Sequence, residues 1–548
     1  MTRSPSFPPY RPTSGELTRS SAERFGDKTF LVLDDHRVSY AEVEERSARL
    51  AKGLLASGVG KGSHVGLLAP NSPDWVVGWF AITRIGAVAV MLNTYSKARE
   101  LRWTMRHGDV GTLLTVDTHL GHDYLARVEE IAPVLADGSQ QRERLLAPEL
   151  PYLRSVWVWG DGRRPWATGI DELIARGDDI DDELLTAVEA DVAPADPMVI
   201  VYSSGSTSDP KGAVHTHGAI VRHAHNLGQM RDLSADDVIY TNMPLFWVGG
   251  FSYTLVAAMH VGATLLFEER FEPGATLDML ERERVTQVLG WPHAAKALAD
   301  HPSYPDRDLS SLRDGTLSIL LPPGTLPDDT PRATSLGMTE TLGPHSFDTK
   351  DPLPPGKEGS FGRSVPGVEH RIADPVTGEE LPTGEVGEIW VRGYSLMAGL
   401  HKRERTDVFT ADGWYRTGDA GRFDDDGHLY FTGRMGDIIK SSGMNITPRD
   451  VELALEAMPE VSLAYVTGID HPDRGQDVIA AIALTPGASL TGEEARVRLK
   501  EDIASYKVPR HITVYATTDD LPWLDSGKVD RRRLTTLLHE DVQSDGGQ

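Results

Sequence analysis

The apolar run Met198-Val-Ile-Val-Tyr202, followed at once by Ser203, Ser204, Gly205, Ser206, Thr207 and Ser208, constrains this chain more than any other stretch. A short uncharged run of this kind is a buried strand, and the small polar residues after it mark an abrupt turn. Hydroxyls at 203, 204, 206 and 207 can donate to phosphate oxygens, Gly205 lets backbone N–H groups come close, and Lys211 adds a mobile cation. A strand that feeds a phosphate loop points to a nucleotide. The spacing is not that of a P-loop NTPase, because Lys211 stands between Pro210 and Gly212 rather than between Gly and Ser or Thr.

The surroundings repeat the α/β theme. Tyr40 to Ser57 and Trp75 to Ile85 have helical periodicity, while Val65 to Ala69 and Ala87 to Met91 are strands. Val238 to Tyr240 and Ala263 to Phe267 supply further strands, so layered α/β is expected over much of the N-terminal part. From Gly367 to Tyr430 the pattern changes to short strands, such as Gly387 to Arg392, separated by Gly/Asp turns such as Asp424 to Gly427. Beyond Gly433 a small α/β unit follows, with a helix from Pro448 to Ala457 and strands around Ala464 to Thr467 and Val478 to Leu484. Ala136 to Asp191 is polar and poorly periodic and is read as surface connections. Both termini, including Asp541 to Gln548, are expected to be disordered.

A chain of 548 residues is too long for one core. Its formal net charge of −26 disfavours nucleic acid and anionic membrane surfaces as partners, and the one basic cluster, Arg531 to Arg533, reads as a solvated helix end. There is no cysteine, so disulfides, thiolate metal sites and a thioester on this polypeptide are excluded. No stretch has the length of a membrane span, and Met1 to Pro9 lacks the apolar centre of a signal peptide, so a cytoplasmic location is expected.

Six further blocks follow the loop in order: Pro244 to Gly250, Gly337-Met-Thr-Glu340, Gly384 to Gly393, Gly413 to Asp419, Gly433-Arg-Met-Gly-Asp437 and Ser526-Gly-Lys528. With the loop, they make the chain resemble the acyl-adenylate-forming superfamily of acyl-CoA synthetases, peptide-synthetase adenylation domains and firefly-type luciferases. The resemblance spans nearly the whole chain. It implies an α/β fold: a large N-terminal AMP-binding domain, residues 1–435, of layered α/β subdomains plus a β-rich one. A small mobile C-terminal α+β domain, 436–540, would follow, then a tail, 541–548, with the active site in the cleft between the domains.

The resemblance also implies roles. Ser203, Ser204, Gly205, Ser206, Thr207 and Lys211 would bind ATP phosphates, with Thr339 at the α-phosphate, Asp419 on the ribose hydroxyls and Arg434 on ribose and phosphate. Lys528, Thr207 and Glu340 would be the catalytic groups, Glu340 holding Mg²⁺ and Lys528 bridging the attacking carboxylate and the α-phosphate. Gly436 would be the hinge, although a hinge glycine is also an ordinary loop glycine, and Ser441 and Gly443 would line the CoA tunnel. Trp247, Gly249 and Leu336 would shape the acyl pocket, and for Trp247, among Leu245, Phe246 and Val248, a place in the core is an equal alternative.

The pattern is broken in places. Ser208 replaces a common glycine, Leu336 stands where relatives set an aromatic ring over adenine, and between Leu317 and Glu340 the prolines leave no room for the helix relatives have there. The expected activity is an ATP-, Mg²⁺- and CoA-dependent acid–thiol ligase for a bulky apolar or aromatic acid, with a homodimer allowed. Two alternatives stay open: a non-CoA acceptor (a carrier protein, an amine or a small nucleophile such as nitrite), and a catalytically weakened adenylate-binding relative.

Overall fold

Ser39 opens the first long helix, Tyr40–Ala56, with a reciprocal cap: its hydroxyl accepts the Glu42 N–H at 3.1 Å, and the Glu42 carboxylate accepts the Ser39 N–H at 2.7 Å. In this computed structural model all residues are described except 1–4, 139, 141, 143, 204–209, 291, 323–334, 349–352, 436–438, 447, 524–528 and 546–548, with backbone alone at 292, 293, 432–434, 445, 449, 531, 532 and 543–545. The helix turns Tyr40, Val43, Leu50, Ala51 and Leu54 inward. Gly53 lies so close to the Leu173 carbonyl that a Cβ would stand 2.1 Å from its oxygen, so only glycine fits there.

Pro73–Arg84, capped by Ser72 and with Pro73 in its first turn, is largely apolar and buried except at Asp74. It ends on Arg84, whose guanidinium meets Glu189 at 2.5 Å and Glu44 at 2.6 Å in the interior. A buried cation is tolerated there because each N–H finds an oxygen.

Two large sheets carry the fold. The eight-stranded one runs in the order Gly399–Leu400, Lys211–Thr216, Pro197–Ser203, Val88–Met91, His64–Leu68, Thr112–Val116, Ser155–Trp159 and Thr168–Gly169. Its pairings from Pro197–Ser203 to Thr168–Gly169 are parallel. That is why these strands read as unbroken apolar runs: helices cover parallel strands on both faces. The six-stranded sheet is ordered Asp314–Gly315, Gln287–Leu289, Val238–Thr241, Thr264–Phe267, Thr29–Leu33 and His36–Ser39. Antiparallel strands follow in the β-rich region: Val368–Ala373, Gly387–Gly393, Tyr415–Phe423 and Leu429–Arg434 form one sheet, and Leu336–Met338, Gly343–Phe347 and Arg363–Ser364 another.

The chain divides into two compact units. One comprises Met1–Thr94, Arg102–Tyr202 and Gly212–Met435, the other Tyr95–Leu101, Ser203–Lys211 and Gly436–Gln548. In the smaller unit Val461–His471 and Gly475–Leu484 form a long hairpin; His511–Tyr515 adds in parallel to Gly475–Leu484, and Ile439–Ser441, paired with Met444–Ile446, meets the start of that strand at Gly475. Helices Pro448–Glu456 and Gly492–Asp502 pack on a core that includes Val451, Leu455, Ile482 and Leu499.

Three expectations are corrected. Ala136 to Asp191 is more than surface connection: Ser155–Trp159 is a buried strand, with Trp157 fully enclosed. Its five residues are too few to stand out between polar flanks. The C-terminal tail is helical through Asp545, and Asp541 accepts the Thr513 hydroxyl at 2.5 Å and meets the His511 ring at 3.1 Å. Near the other end, Ser6 donates its N–H to Asn226 Oδ1 at 2.8 Å, and the Phe7 ring lies under the Arg222 guanidinium. Arg531 to Arg533 do stand at a helix end, the first turn of Arg531–Asp545.

Candidate active site

Lys211 opens the strand Lys211–Thr216, next in the sheet to Pro197–Ser203, whose last residue is Ser203. Ser204, Gly205, Ser206, Thr207 and Ser208 lie outside the described residues. Along Lys211–Thr216, alternation sends Ala213 and His215 into the interior. The His215 Nε2–H donates to the Thr339 carbonyl at 2.8 Å. Burial pushes this imidazole down to about 4, against the smaller upward pull of that bond, so it is neutral near pH 7.

His215 thereby ties down the short turn Thr339–Thr341. The Thr341 hydroxyl donates to the Gly343 carbonyl at 2.7 Å and accepts the Met338 N–H at 3.2 Å, and Leu342 turns the chain with a φ of 63°. At Gly337 a Cβ would lie 2.5 Å from the Gly343 backbone, so the strands close only over glycine. The Glu340 carbonyl accepts the Met397 N–H at 2.9 Å. One residue on, the Ala398 N–H donates to Val214 at 2.8 Å, and the His401 N–H donates to Gly212 at 2.8 Å. Glu340, 7% exposed, is therefore carried on a turn strapped from two sides to the strand that begins at Lys211. A buried carboxylate on so short a leash is pre-positioned to meet positive charge.

Asp419 and Arg434 stand opposite each other in the antiparallel pair Tyr415–Phe423 and Leu429–Arg434. Asp419 is buried, its N–H donates to the Thr417 hydroxyl at 3.0 Å, and Thr417 in turn donates to the Ile389 carbonyl at 2.6 Å. The Met435 N–H closes back on Gly418 at 2.7 Å. The backbone thus juxtaposes two residues fifteen positions apart in the chain.

Trp247 is half-buried, edge-on to Phe246 at 5.3 Å, and packs partly against the main core. It precedes Val248–Gly250, which runs into a π-helical turn, Phe251–Val256, a form common beside functional sites. Gly250 is required, since a Cβ would lie 2.1 Å from the Pro244 carbonyl oxygen; Gly249 stands against the Met243 sulfur. Leu336 is 5% exposed, packed with Val365, Val368 and Ile372, and core packing accounts for its side chain. The segment between Leu317 and Glu340, expected from its prolines to have no family-like helix, lies mostly outside the described residues.

In the smaller unit Ser442 and Gly443, with φ of 51° and 78°, form the two-residue turn between Ile439–Ser441 and Met444–Ile446. Ser441 is buried beside it and Gly443 is exposed. Gly436 and Lys528 lie outside the described residues, but Trp523 and Val529 pair in an antiparallel bridge that closes the ends of the Lys528 segment.

The description AMP-binding enzyme fits residues 18–401, and AMP-binding enzyme C-terminal domain fits residues 450–528. The chain belongs to the AMP-binding enzyme family. Within it, this adenylate-forming ligase is 32% identical to the indoleacetate–CoA ligase of Aromatoleum aromaticum, over 93% of this chain and 95% of the relative. It is also 32% identical to the feruloyl-CoA synthase of an Amycolatopsis species, over 90% and 92%. Among solved structures, the amide bond synthetase McbA from Marinactinospora thermotolerans matches with a TM-score of 0.77 at 26% identity, covering 95% of this chain and 99% of that one. No helix among the ligase's described residues is long and apolar enough to cross a membrane.

His215 is the residue the sequence reading passed over. Its signal was there: a histidine on the inward side of an alternating strand needs an acceptor. Replacing it with alanine removes one of two donors to the Thr339 carbonyl, which also accepts the Leu342 N–H at 3.1 Å, so His215→Ala is expected to lower unfolding stability by about 0.5–1.5 kcal/mol. Chemical denaturation of the two proteins measures this, and an unchanged midpoint would remove His215 as the tether of the Glu340 turn.

Proposed function

We propose that this ligase activates an aromatic or bulky apolar carboxylic acid with ATP and passes the acyl group to the thiol of CoA. The observation that carries the reading is the buried Glu340 turn, strapped to the strand beginning at Lys211. Support for the acid class and for the thiol comes from the relatives named for indoleacetate and ferulate, both CoA ligases.

In the first step a carboxylate oxygen bonds to the α-phosphorus of ATP and pyrophosphate leaves. In the second, the thiol sulfur bonds to the acyl carbon and AMP leaves. Two anions must approach in the first step, so the chain's cations do the decisive work. Lys528 holds the carboxylate against the α-phosphate, Lys211 and the hydroxyls from Ser203 to Thr207 hold the outer phosphates, and Thr339 meets the α-phosphate. Asp419 accepts from the ribose hydroxyls, with Arg434 beside it. Glu340 suits magnesium, a hard cation that takes one or two carboxylates plus phosphate oxygens; when bound it would draw charge from those oxygens. With no cysteine in the chain, the activated acyl group is held without a thioester to the protein. Gly436 then serves as the hinge that brings Ser441 and Gly443 to the pantetheine arm.

The likeness to an amide bond synthetase favours one second reading, the same adenylate with an amine as acceptor. Incubation with ATP, Mg²⁺, CoA and a panel of aromatic and aliphatic acids, read by mass spectrometry, separates them. Acyl-CoA with AMP and pyrophosphate is the expected product. Acyl-AMP without acyl-CoA, converted to amide when an amine is added, would replace the thiol with the amine.

A further inference from the structure

His64, Asp109 and His401 come from three distant parts of the sequence and meet at one place in the larger unit, each with a ligand atom within 4.8 Å of the others. The His64 and His401 rings are 5.4 Å apart between centroids. We propose that these three side chains form a binding site for a borderline divalent metal ion of the zinc or cobalt type, separate from the magnesium assigned to Glu340.

The donor set selects the metal. Two imidazoles and one carboxylate suit zinc and cobalt, whereas magnesium prefers an all-oxygen shell. Ligand atoms around a tetrahedral zinc stand roughly 3.4 Å apart, given bonds of about 2.0–2.1 Å, so the present spacing closes on an ion with a shift of an ångström or so. Independent support lies in the orientation of His64. Its Nδ1–H donates to the Gly108 carbonyl at 2.7 Å, which in the neutral ring turns the Nε2 lone pair outward. A ring anchored through one nitrogen to a carbonyl and ligating through the other is the usual arrangement in metal centres.

The cluster is also reachable. Both rings line a cavity of about 220 Å³ whose other walls include Lys61, Val88, Ile200 and Val214. The nearby His107, in contact with the Tyr202 hydroxyl at 2.9 Å, stands edge-on to His401.

One group stands against binding. Lys402 reaches Asp109 Oδ1 at 2.7 Å, and His401 Nε2 lies 3.3 Å from Oδ2. Lys402 is 43% exposed, so its ammonium can swing into solvent when the ion arrives. The cluster Asp424, Asp426 and His428 differs, because Lys357 bridges both aspartates, at 2.8 and 2.5 Å, on a tight surface turn.

The test uses the untagged full chain, stripped with chelator and kept in excess Mg²⁺, titrated with Co²⁺ and read by its visible absorption. One Co²⁺ per chain is expected. His64→Gln and His401→Gln are each expected to weaken it by about 100-fold, the upper end of what losing even a supporting residue costs. Lys402→Gln is expected to tighten it. Each variant is compared with the parent by circular dichroism without metal, and Zn²⁺ should raise the melting temperature of the parent but not of His401→Gln. Absence of Co²⁺ uptake, or uptake equal in the parent and both histidine variants, would overturn the site.

Discussion

Lys528→Ala is expected to slow acid-dependent ATP–pyrophosphate exchange about 10²–10³-fold, the loss that follows removal of one pre-positioned charge-stabilising donor from an acyl-transfer site. As proposed, the lysine ammonium is what allows a carboxylate to approach a phosphate of the same sign. In a site that excludes water that attraction is strong, and no other residue in the C-terminal block Ser526-Gly-Lys528 can replace it. The fold should survive, because the segment is closed by the bridge between Trp523 and Val529, with Leu534 and Leu538 of the following helix buried in the core. The decisive measurement is a comparison of half-reactions. Exchange should fall while transfer from supplied acyl-AMP to the acceptor keeps most of its rate, a split that misfolding cannot produce. Exchange within a few-fold of the parent would end the assignment of Lys528.

How much of this was legible in the sequence depended on how local the physics is. The helix Tyr40–Ala56 and the strands at His64–Leu68, Val88–Met91 and Pro197–Ser203 were readable because their patterns are set by neighbours along the chain. Ser155–Trp159 was not, since five residues within a polar stretch become a strand only by pairing with Thr112–Val116. The site divides in the same way. Glu340 and Asp419 were singled out through the blocks around them, whereas the contact of His215 depends on a carbonyl 124 residues away. The meeting of His64, Asp109 and His401 has no local signature at all, because three separate loops and strands bring them together. Leu336 was singled out by its place in the block, while its burial beside Val365, Val368 and Ile372 depends on chain segments some thirty residues away.

Buried histidines lead to a second large effect, loss of the folded larger unit on mild acidification. His215, His217, His223 and His260 are all enclosed, and burial lowers His215 to about 4 and the other three to about 3, from the ordinary 6.5. Two of them also accept hydrogen bonds that require a neutral ring. His217 Nδ1 accepts the Ser14 N–H at 3.3 Å, and His260 donates from Nε2 to the Val221 carbonyl while its Nδ1 accepts the Tyr10 hydroxyl at 2.7 Å. Because the folded state takes up these protons only near pH 3–4 and the unfolded chain takes them up near 6.5, acid favours unfolding throughout that interval. Stability is therefore complete above pH 6.5, falls as pH drops, and levels off below the folded values. Each ring contributes up to about 1.4 kcal/mol per pH unit, so by pH 5 the four together remove about 8 kcal/mol, comparable to the 5–15 kcal/mol that holds a typical domain folded. Carboxylates whose values are depressed act later: Asp424, held at about 2 by Lys357 and backbone N–H groups, loses its contribution only below its ordinary 3.8. A loss between pH 6.5 and 5 therefore belongs to the histidines. Denaturant midpoints at pH 7.5 and 5.0 decide the matter. A steep drop is expected, made shallower by His260→Gln, while a midpoint that stays put would mean these rings accept protons without leaving the fold.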